Sequence, residues 1–278
     1  MIKINLCGGL GNQLFQIFNG ISFSLRHNLD FKLPNSKSLN FGSRNRKTYW
    51  DSFFSNLKIF TIDDISCINK YNEPHFHYRE LPIEIRNFEI VQINGFYQSF
   101  KYFEDKYDEI LNLIGIPELR EQTRLKYISY FDKPTISVHF RLDDFFQLQD
   151  YHPIPRIEHY IKSLKYIIEQ TNCTNYRILY FCQECDNEYV KERIREIVDK
   201  IPTLEFVKVT DEAEDWEQML IMSHCEHHVI PNSSFSWWGS YINTKPNKIV
   251  CYPAIWFGEI AKADTRDLCP NRWVKVIS

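Results

Sequence analysis

The sequence predicts a two-domain α/β protein, and three observations carry the prediction. The chain has 278 residues, long enough for two domains of roughly 140 residues each, with a sizeable core. A glycine-rich junction near the N-terminus joins a short apolar run to an amphipathic stretch. In the second half, strand-like and helix-like segments alternate as a doubly wound parallel sheet requires. Hydrophobic residues make up 44% and charged residues 25%, the balance of a globular chain, which excludes a disordered or fibrous architecture.

In chain order, Lys3 to Cys7 reads as a short strand running into Gly8-Gly9-Leu10-Gly11-Asn12-Gln13. A helix follows, with Leu14, Ile17, Phe18, Ile21 and Leu25 on one face. Glycines at such a junction permit positive φ and close approach of a ligand, and the helix start offers N–H groups. A tight turn with no ligand has the same sequence. From Leu33 to Tyr71, including Gly42-Ser43-Arg44-Asn45-Arg46-Lys47, the text is polar and without period, and reads as loops with short helices. Ile90 to Gly95 alternates as a strand, and Tyr107 to Ile114 is an amphipathic helix closed by Gly115-Ile116-Pro117.

The second half is regular. Strands are expected at Thr135 to His139, Tyr176 to Cys182, Leu204 to Val209, His228 to Pro231 and Lys248 to Tyr252. Helices are expected at Pro155 to Gln170, Asp186 to Lys200, Asp215 to Cys225 and Ser236 to Ile242. The domain break is expected at Asp132-Lys133-Pro134, giving domains 1–132 and 133–278.

Net charge is −3, with 33 basic and 36 acidic residues and no stretch that gathers the five or six like charges of an interaction tail, which argues against a nucleic-acid partner. The N-terminal apolar run is too short for a signal sequence, and no window offers about 18 consecutive apolar residues. A cytoplasmic protein without a membrane span is therefore expected. Eight scattered cysteines then read as reduced packing residues.

Two constellations carry chemistry. Ser137-Val138-His139-Phe140-Arg141-Leu142-Asp143-Asp144 sets polar groups at the C-terminal end of a buried strand, the edge where open α/β sheets bind ligands. Arg141 offers a planar fork for a phosphate, His139 a further donor, and Asp144 a carboxylate that can orient Arg141 or bind a ribose hydroxyl. An Arg–Asp pair closing a loop is the structural alternative. Pro231-Asn232-Ser233-Ser234-Phe235-Ser236-Trp237-Trp238-Gly239 again joins a short strand to a helix. There, serine hydroxyls and helix N–H groups would make a neutral anion cradle, with the tryptophans partly buried or one shaping a pocket wall. Cys182-Gln183-Glu184-Cys185 is a solitary Cys-x-x-Cys, and His224-Cys225-Glu226-His227-His228 straddles a helix end, so neither reads as a metal site. With no P-loop, nucleophile elbow or Asp-x-Asp, a metal-free site is expected.

On these residues the chain resembles the α-1,2-fucosyltransferases of glycosyltransferase family 11. The resemblance lies in Gly8-Gly9-Leu10-Gly11-Asn12-Gln13-Leu14-Phe15-Gln16, in Gly95-Phe96-Tyr97-Gln98-Ser99, and in Cys225-Glu226-His227 followed by Ile230 and Asn232 to Gly239. It implies a GT-B fold, two Rossmann-like domains facing a cleft, with residues 1–132 on the acceptor side and 133–278 binding the nucleotide sugar. It also implies transfer of L-fucose from GDP-β-L-fucose to the 2-hydroxyl of a terminal β-galactoside, with inversion and no cofactor. His139, Arg141 and Asp144 fall on the family's His-x-Arg-Arg-x-Asp motif, which supports the donor diphosphate. Gly9, Asn12 and Gln13 fall on the turn near the reaction centre, with Gly9 and Gln13 contacting the donor and Asn12 catalytic alongside Arg141 and Asp144. Asn232, Ser233, Ser234, Phe235 and Ser236 fall on the segment closing over the phosphates. Leu142 stands where the pattern has its second arginine, and Asp143 where it has glycine. This removes a cation and adds an anion beside the diphosphate unless Asp143 faces away or pairs with Arg156. Alternatives are a related enzyme using another nucleotide sugar and a non-catalytic glycan-binding protein.

Overall fold

A computed structural model of the chain describes residues 1–41 and 44–278. Gly42 and Ser43, part of the polar stretch read as loop, lie outside the described residues. The chain divides into two compact units, Met1–Leu119 with Ala263–Pro270, and Arg120–Lys262 with Asn271–Ser278.

The first unit is built from β1 (Ile2–Ile4), α1 (Leu10–His27), β2 (Phe31–Pro34), β3 (Ser38–Phe41), β4 (Arg44–Lys47), β5 (Thr61–Ile62), β6 (Lys70–Asn72), β7 (Val91–Asn94) and α2 (Tyr107–Ile114). Its sheet is parallel, in the order β5-β2-β1-β7-β6, while β3 and β4 form a separate hairpin. The stretch expected to be loops with short helices thus supplies strands. Runs of two to four residues are too short to display a period of two, and only pairing with neighbours makes them strands.

Helix α1 begins at Leu10, four positions before the expected Leu14, so Asn12 and Gln13 lie in its first turn. Gly9 is the N-cap, and its carbonyl accepts the N–H groups of Asn12 and Gln13, both at 3.0 Å. The helix runs through the centre of its unit: Leu14, Phe15, Ile17, Phe18 and Ile21 have no exposure, and Gln13, Gln16 and Ser22 are buried with them. Gly20 lets α1 lie directly on β1, since a Cβ there would sit 2.4 Å from both Cδ1 and Cγ1 of Ile4. Gly20→Ala is expected to destabilise the protein by about 1–3 kcal/mol through overpacking, read as a lower urea midpoint with an unchanged denaturant slope.

The second unit follows from α3 (Ile116–Lys126) and comprises β8 (Thr135–His139), α4 (Ile157–Thr171), β9 (Arg177–Phe181), α5 (Asn187–Lys200), β10 (Glu205–Lys208), α6 (Asp215–Met222), β11 (His227–Val229), α7 (Ser234–Tyr241), β12 (Val250–Pro253) and β13 (Val274–Val276). The expected elements are present with shifted ends, and β13 is an addition. The division falls after Leu119 rather than at the Asp132-Lys133-Pro134 connector. The end of α3 packs with the second unit: Arg120 donates to the hydroxyl and carbonyl of Ser223, and Lys126 pairs with Glu217 at 2.7 Å.

Strand order is β10-β9-β8-β11-β12-β13, all parallel. In chain order within the unit this is 3-2-1-4-5-6, the Rossmann arrangement, whose ligand site is the switch point where the order reverses. Here that point lies between β8 and β11. The order in the first unit reverses between β1 and β7. Each pair of neighbours carries two of the sequence segments singled out above.

One sheet face of the second unit packs Ile136, Val138, Phe140 and Leu142 against Tyr160 and Leu164 of α4 and Val190 of α5. The other packs Leu179 and Phe181 with Ile221 and Met222. Trp237 and Trp238 are both completely buried rather than partly exposed. Trp237 stacks on Tyr241 at 4.5 Å and approaches Trp273, while Trp238 meets Tyr241 edge-on, so the rings of α7 pack on one another and on Trp273. Among the described residues, no helix is long and apolar enough to cross a membrane.

Candidate active site

The period of two along β8 sorts the first constellation. Ile136, Val138, Phe140 and Leu142 point into the core beneath α4 and α5, so Ser137, His139 and Arg141 face the other way. The ladder extends one residue past the strand, with Phe140 N–H donating to the Phe181 carbonyl at 2.8 Å. The Phe140 ring lies on Tyr160 at 4.6 Å. Leu142, only 2% exposed, is therefore a core residue. It lies on the buried side of the strand, away from Ser137, His139 and Arg141.

Arg141 is held in place. It pairs through Nη2 with Asp144, its Nη1 is 3.8 Å from Asp143 Oδ2, and its guanidinium lies 4.7 Å above the Phe145 ring. Its side chain keeps 15% exposure, so the group is fixed yet reachable. Asp143 stands at φ +47°, the left-handed conformation that Asp tolerates better than most side chains, which accounts structurally for glycine in the family pattern. Asp143 associates with Arg141 and not with Arg156.

Two groups at this edge carry little weight in a sequence reading. Asp186 is buried and accepts the Asp143 N–H, and burial holds its carboxyl above the ordinary range. Its Oδ2 has no hydrogen-bond partner among the described residues. Lys208 closes β10, donating to the carbonyls of Cys182 and Val209 and to Asp211. The signal for both is position at a strand end, a place where polar residues are too common to single these out.

His139 is neutral. Burial, and after it the positive charges of Arg141 and Lys208, push its pKa down to about 3. Its Nδ1 is buried without a hydrogen-bond partner among the described residues, and Phe235 packs against the ring at 5.6 Å. Asn232, at the end of β11, anchors its amide on the Trp256 carbonyl at 2.9 Å, while its buried Oδ1 has no hydrogen-bond partner among the described residues. An unsatisfied buried polar atom costs about 1–3 kcal/mol, and two of those in this protein lie at the adjoining ends of β8 and β11.

Ser233 is the backbone N-cap of α7, but its hydroxyl does not cap the helix. The first turn of α7, which includes Ser234, therefore takes no hydroxyl cap from it. Ser236 is not brought to the same edge: it has no exposure, and its hydroxyl donates to the Ser233 carbonyl at 3.4 Å.

In the first unit, the turn from β1 into α1 adjoins the turn after β7. Gln98 donates through Nε2 to Asn12 Oδ1 at 2.9 Å. Gln16 donates to the Gly95 carbonyl at 3.0 Å. Gly8 has φ +77°, and a Cβ on it would lie 2.4 Å from Asn12 Nδ2. Gly9 has open space on its Cβ side. Gln13 is completely buried, donating to the carbonyls of Gly8 and Lys47 at 3.1 and 2.9 Å. It ties the glycine turn to β4 through Nε2, while its buried Oε1 has no hydrogen-bond partner among the described residues. Asn12 and Gly9 are the members of this motif that the turn leaves at its edge.

The remaining motifs resolve into structure. Cys182 donates to Asn187 at 3.2 Å, Cys185 is exposed, and all eight cysteines are free. His224 bonds the Arg120 carbonyl, His227 bonds Tyr176, and His228 lies between Ser137 and Asn243. Consecutive side chains thus diverge to separate partners.

The sequence model described as Glycosyl transferase family 11 matches residues 3–274. An alpha-1,2-colitosyltransferase of Escherichia coli is 28% identical, over 99% of this chain and 99% of its own. The O-antigen biosynthesis glycosyltransferase WbnK of Escherichia coli is 25% identical, over 98% of this chain and 99% of its own. Among solved structures, POFUT1 in complex with GDP aligns over 90% of this chain and 97% of its own, with TM-score 0.54 and 11% identity. The fold is of the GT-B type, with two Rossmann-like units.

Proposed function

Because the chain belongs to glycosyltransferase family 11, we propose that it transfers L-fucose from GDP-β-L-fucose, with inversion, to the 2-hydroxyl of a terminal β-galactoside in an oligosaccharide or glycan. The second unit binds the GDP-sugar and the first the acceptor. The reaction takes place in the cytoplasm and needs neither metal ion nor further cofactor. The observation that carries this reading is the convergence of Arg141, His139 and Asn232 at the β8–β11 switch point, with buried polar atoms left unsatisfied there.

When the anomeric bond breaks, negative charge grows on the β-phosphate. Arg141, oriented in advance by Asp144 and Phe145, meets that charge without reorganising. Neutral His139 and the N–H groups at the start of α7 add donors that bring no competing charge. Asp143 and Asp144 already share the guanidinium, so the diphosphate binds against partial competition and part of Arg141's charge is spoken for at rest. Asn12, set by Gln98, orients the acceptor hydroxyl.

A second reading keeps the site and changes the sugar: the colitosyltransferase relative favours a GDP-colitose donor. Incubation with GDP-fucose and GDP-colitose in turn, against a panel of β-galactosides and with EDTA present, separates the two by NMR of the product. The proposal expects an α-1,2-linked fucoside and undiminished transfer in EDTA. Transfer from GDP-colitose alone would move the assignment to the second reading. A strict need for Mn²⁺ or Mg²⁺ would contradict the metal-free site.

A further inference from the structure

Glu73 follows β6, and its backbone N–H donates to the Asn94 carbonyl at 2.7 Å, so it stands beside the end of β7. Its carboxylate turns back over the next turn of chain. Oε2 accepts the Phe96 N–H at 2.8 Å, and both oxygens accept the Tyr97 N–H at 3.1 Å. Tyr97 is held at φ +52°, an unfavourable conformation for an aromatic residue. Its ring is buried against Tyr102, and its hydroxyl donates to the Asn94 carbonyl. Gly95 makes room for this arrangement, since a Cβ on it would meet Glu73 Cβ at 2.4 Å and Oε2 at 2.7 Å. The next residue is Gln98, whose amide fixes Asn12.

We propose that Glu73 is a positioning residue: its ionised carboxylate clamps the Gly95–Ser99 turn, holds Gln98 on Asn12, and so governs use of the acceptor without taking part in GDP binding. This rests on the reading of the first unit as the acceptor side. A carboxylate accepts backbone N–H groups through both oxygens as a charged partner, whereas its protonated or amide counterpart keeps one carbonyl oxygen to accept them, carries no charge, and sets a donor in place of the second oxygen.

Burial pushes the Glu73 pKa up to about 7, against the lowering effect of the Tyr97 and Phe96 N–H groups. The titratable groups facing it are Cys7 from the β1–α1 turn, Tyr71 from β6, Tyr97 from the clamped turn and Tyr102 beyond it, and each of these is itself raised above its ordinary value. Near neutrality Glu73 is therefore the member of this group that changes charge. The signs are opposed. A raised carboxyl costs stability as pH rises from its ordinary range through about 7, while the ionised form that clamps the turn fills over the same rise.

The test has two arms. In the first, the amide resonances of Phe96 and Tyr97 are followed by NMR against pH; they should shift with a midpoint near 7 in the wild type and stay fixed in Glu73→Gln. This arm does not depend on the transferase reading. In the second, kcat/KM for the acceptor should rise through the same midpoint in the wild type. Glu73→Gln should lower it about tenfold and flatten that limb, with GDP affinity unchanged. Amides that do not titrate, or a Glu73→Gln enzyme with wild-type acceptor kinetics and pH profile, would overturn the proposal. If Glu73→Gln does not fold, the wild-type amides decide the matter. Transfer missing from the wild type with every donor, while the amides titrate as expected, would instead strike the transferase reading.

Discussion

Replacing Arg141 by alanine is expected to lower kcat for transfer by about 10²- to 10³-fold, the usual cost of losing one preorganised group that meets developing charge. The loss should exceed what a lone surface cation would give, because this guanidinium is already aligned by Asp144 and seated on Phe145. Removing it also leaves Asp143 and Asp144 facing a diphosphate with no cation between them. Arg141→Lys should recover only a small part, since an ammonium lacks the planar fork. A thermal melt separates loss of function from loss of fold, and full transfer by a folded Arg141→Ala enzyme would remove Arg141 from the account.

Asn12→Ala should give the second largest effect, a fall in kcat of about 10²-fold, as expected when a reacting group loses its positioning by an ångström or so. GDP affinity should hold, because the proposed nucleotide contacts lie in the second unit. Gly8→Ala provides an independent route to the same defect. Its Cβ would occupy the space of Asn12 Nδ2, and φ is +77°, so Asn12 must move while remaining present. Both variants should show the split between kcat and GDP binding. A Gly8→Ala enzyme with normal turnover would mean that the position of Asn12 is immaterial.

Much of the second unit was legible because most of its strands are runs of four or five residues between helices of eight or more, long enough for apolar pattern and caps to register. The first unit was not. Its strands of two to four residues carry no period, and the parallel sheet that joins them is a property of pairing between distant segments. The same limit applies to the site. His139 and Arg141 were visible as polar residues ending an apolar strand, and the alternation that sends Leu142 into the core was implicit in Ile136, Val138 and Phe140. Motif comparison alone nevertheless suggested a missing cation. Ser236 and Gln13 matched a motif too, but helix α7 takes up the Ser236 hydroxyl and the glycine turn takes up Gln13 Nε2, leaving only Gln13 Oε1 without a partner of these two side chains. Glu73 belonged to no recognised pattern. Its role arises from a fold that brings it within hydrogen-bond distance of Phe96 and Tyr97, across 23 and 24 positions of chain.

The central claim is that the β8–β11 switch point holds a diphosphate under Arg141. Calorimetric titration of GDP and of GMP into the wild type and Arg141→Ala tests it most directly. The wild type should prefer GDP by about tenfold or more, the value of a charge-assisted contact to the second phosphate, and the variant should bind the two nucleotides with nearly equal affinity. An undiminished preference for GDP in folded Arg141→Ala would contradict it.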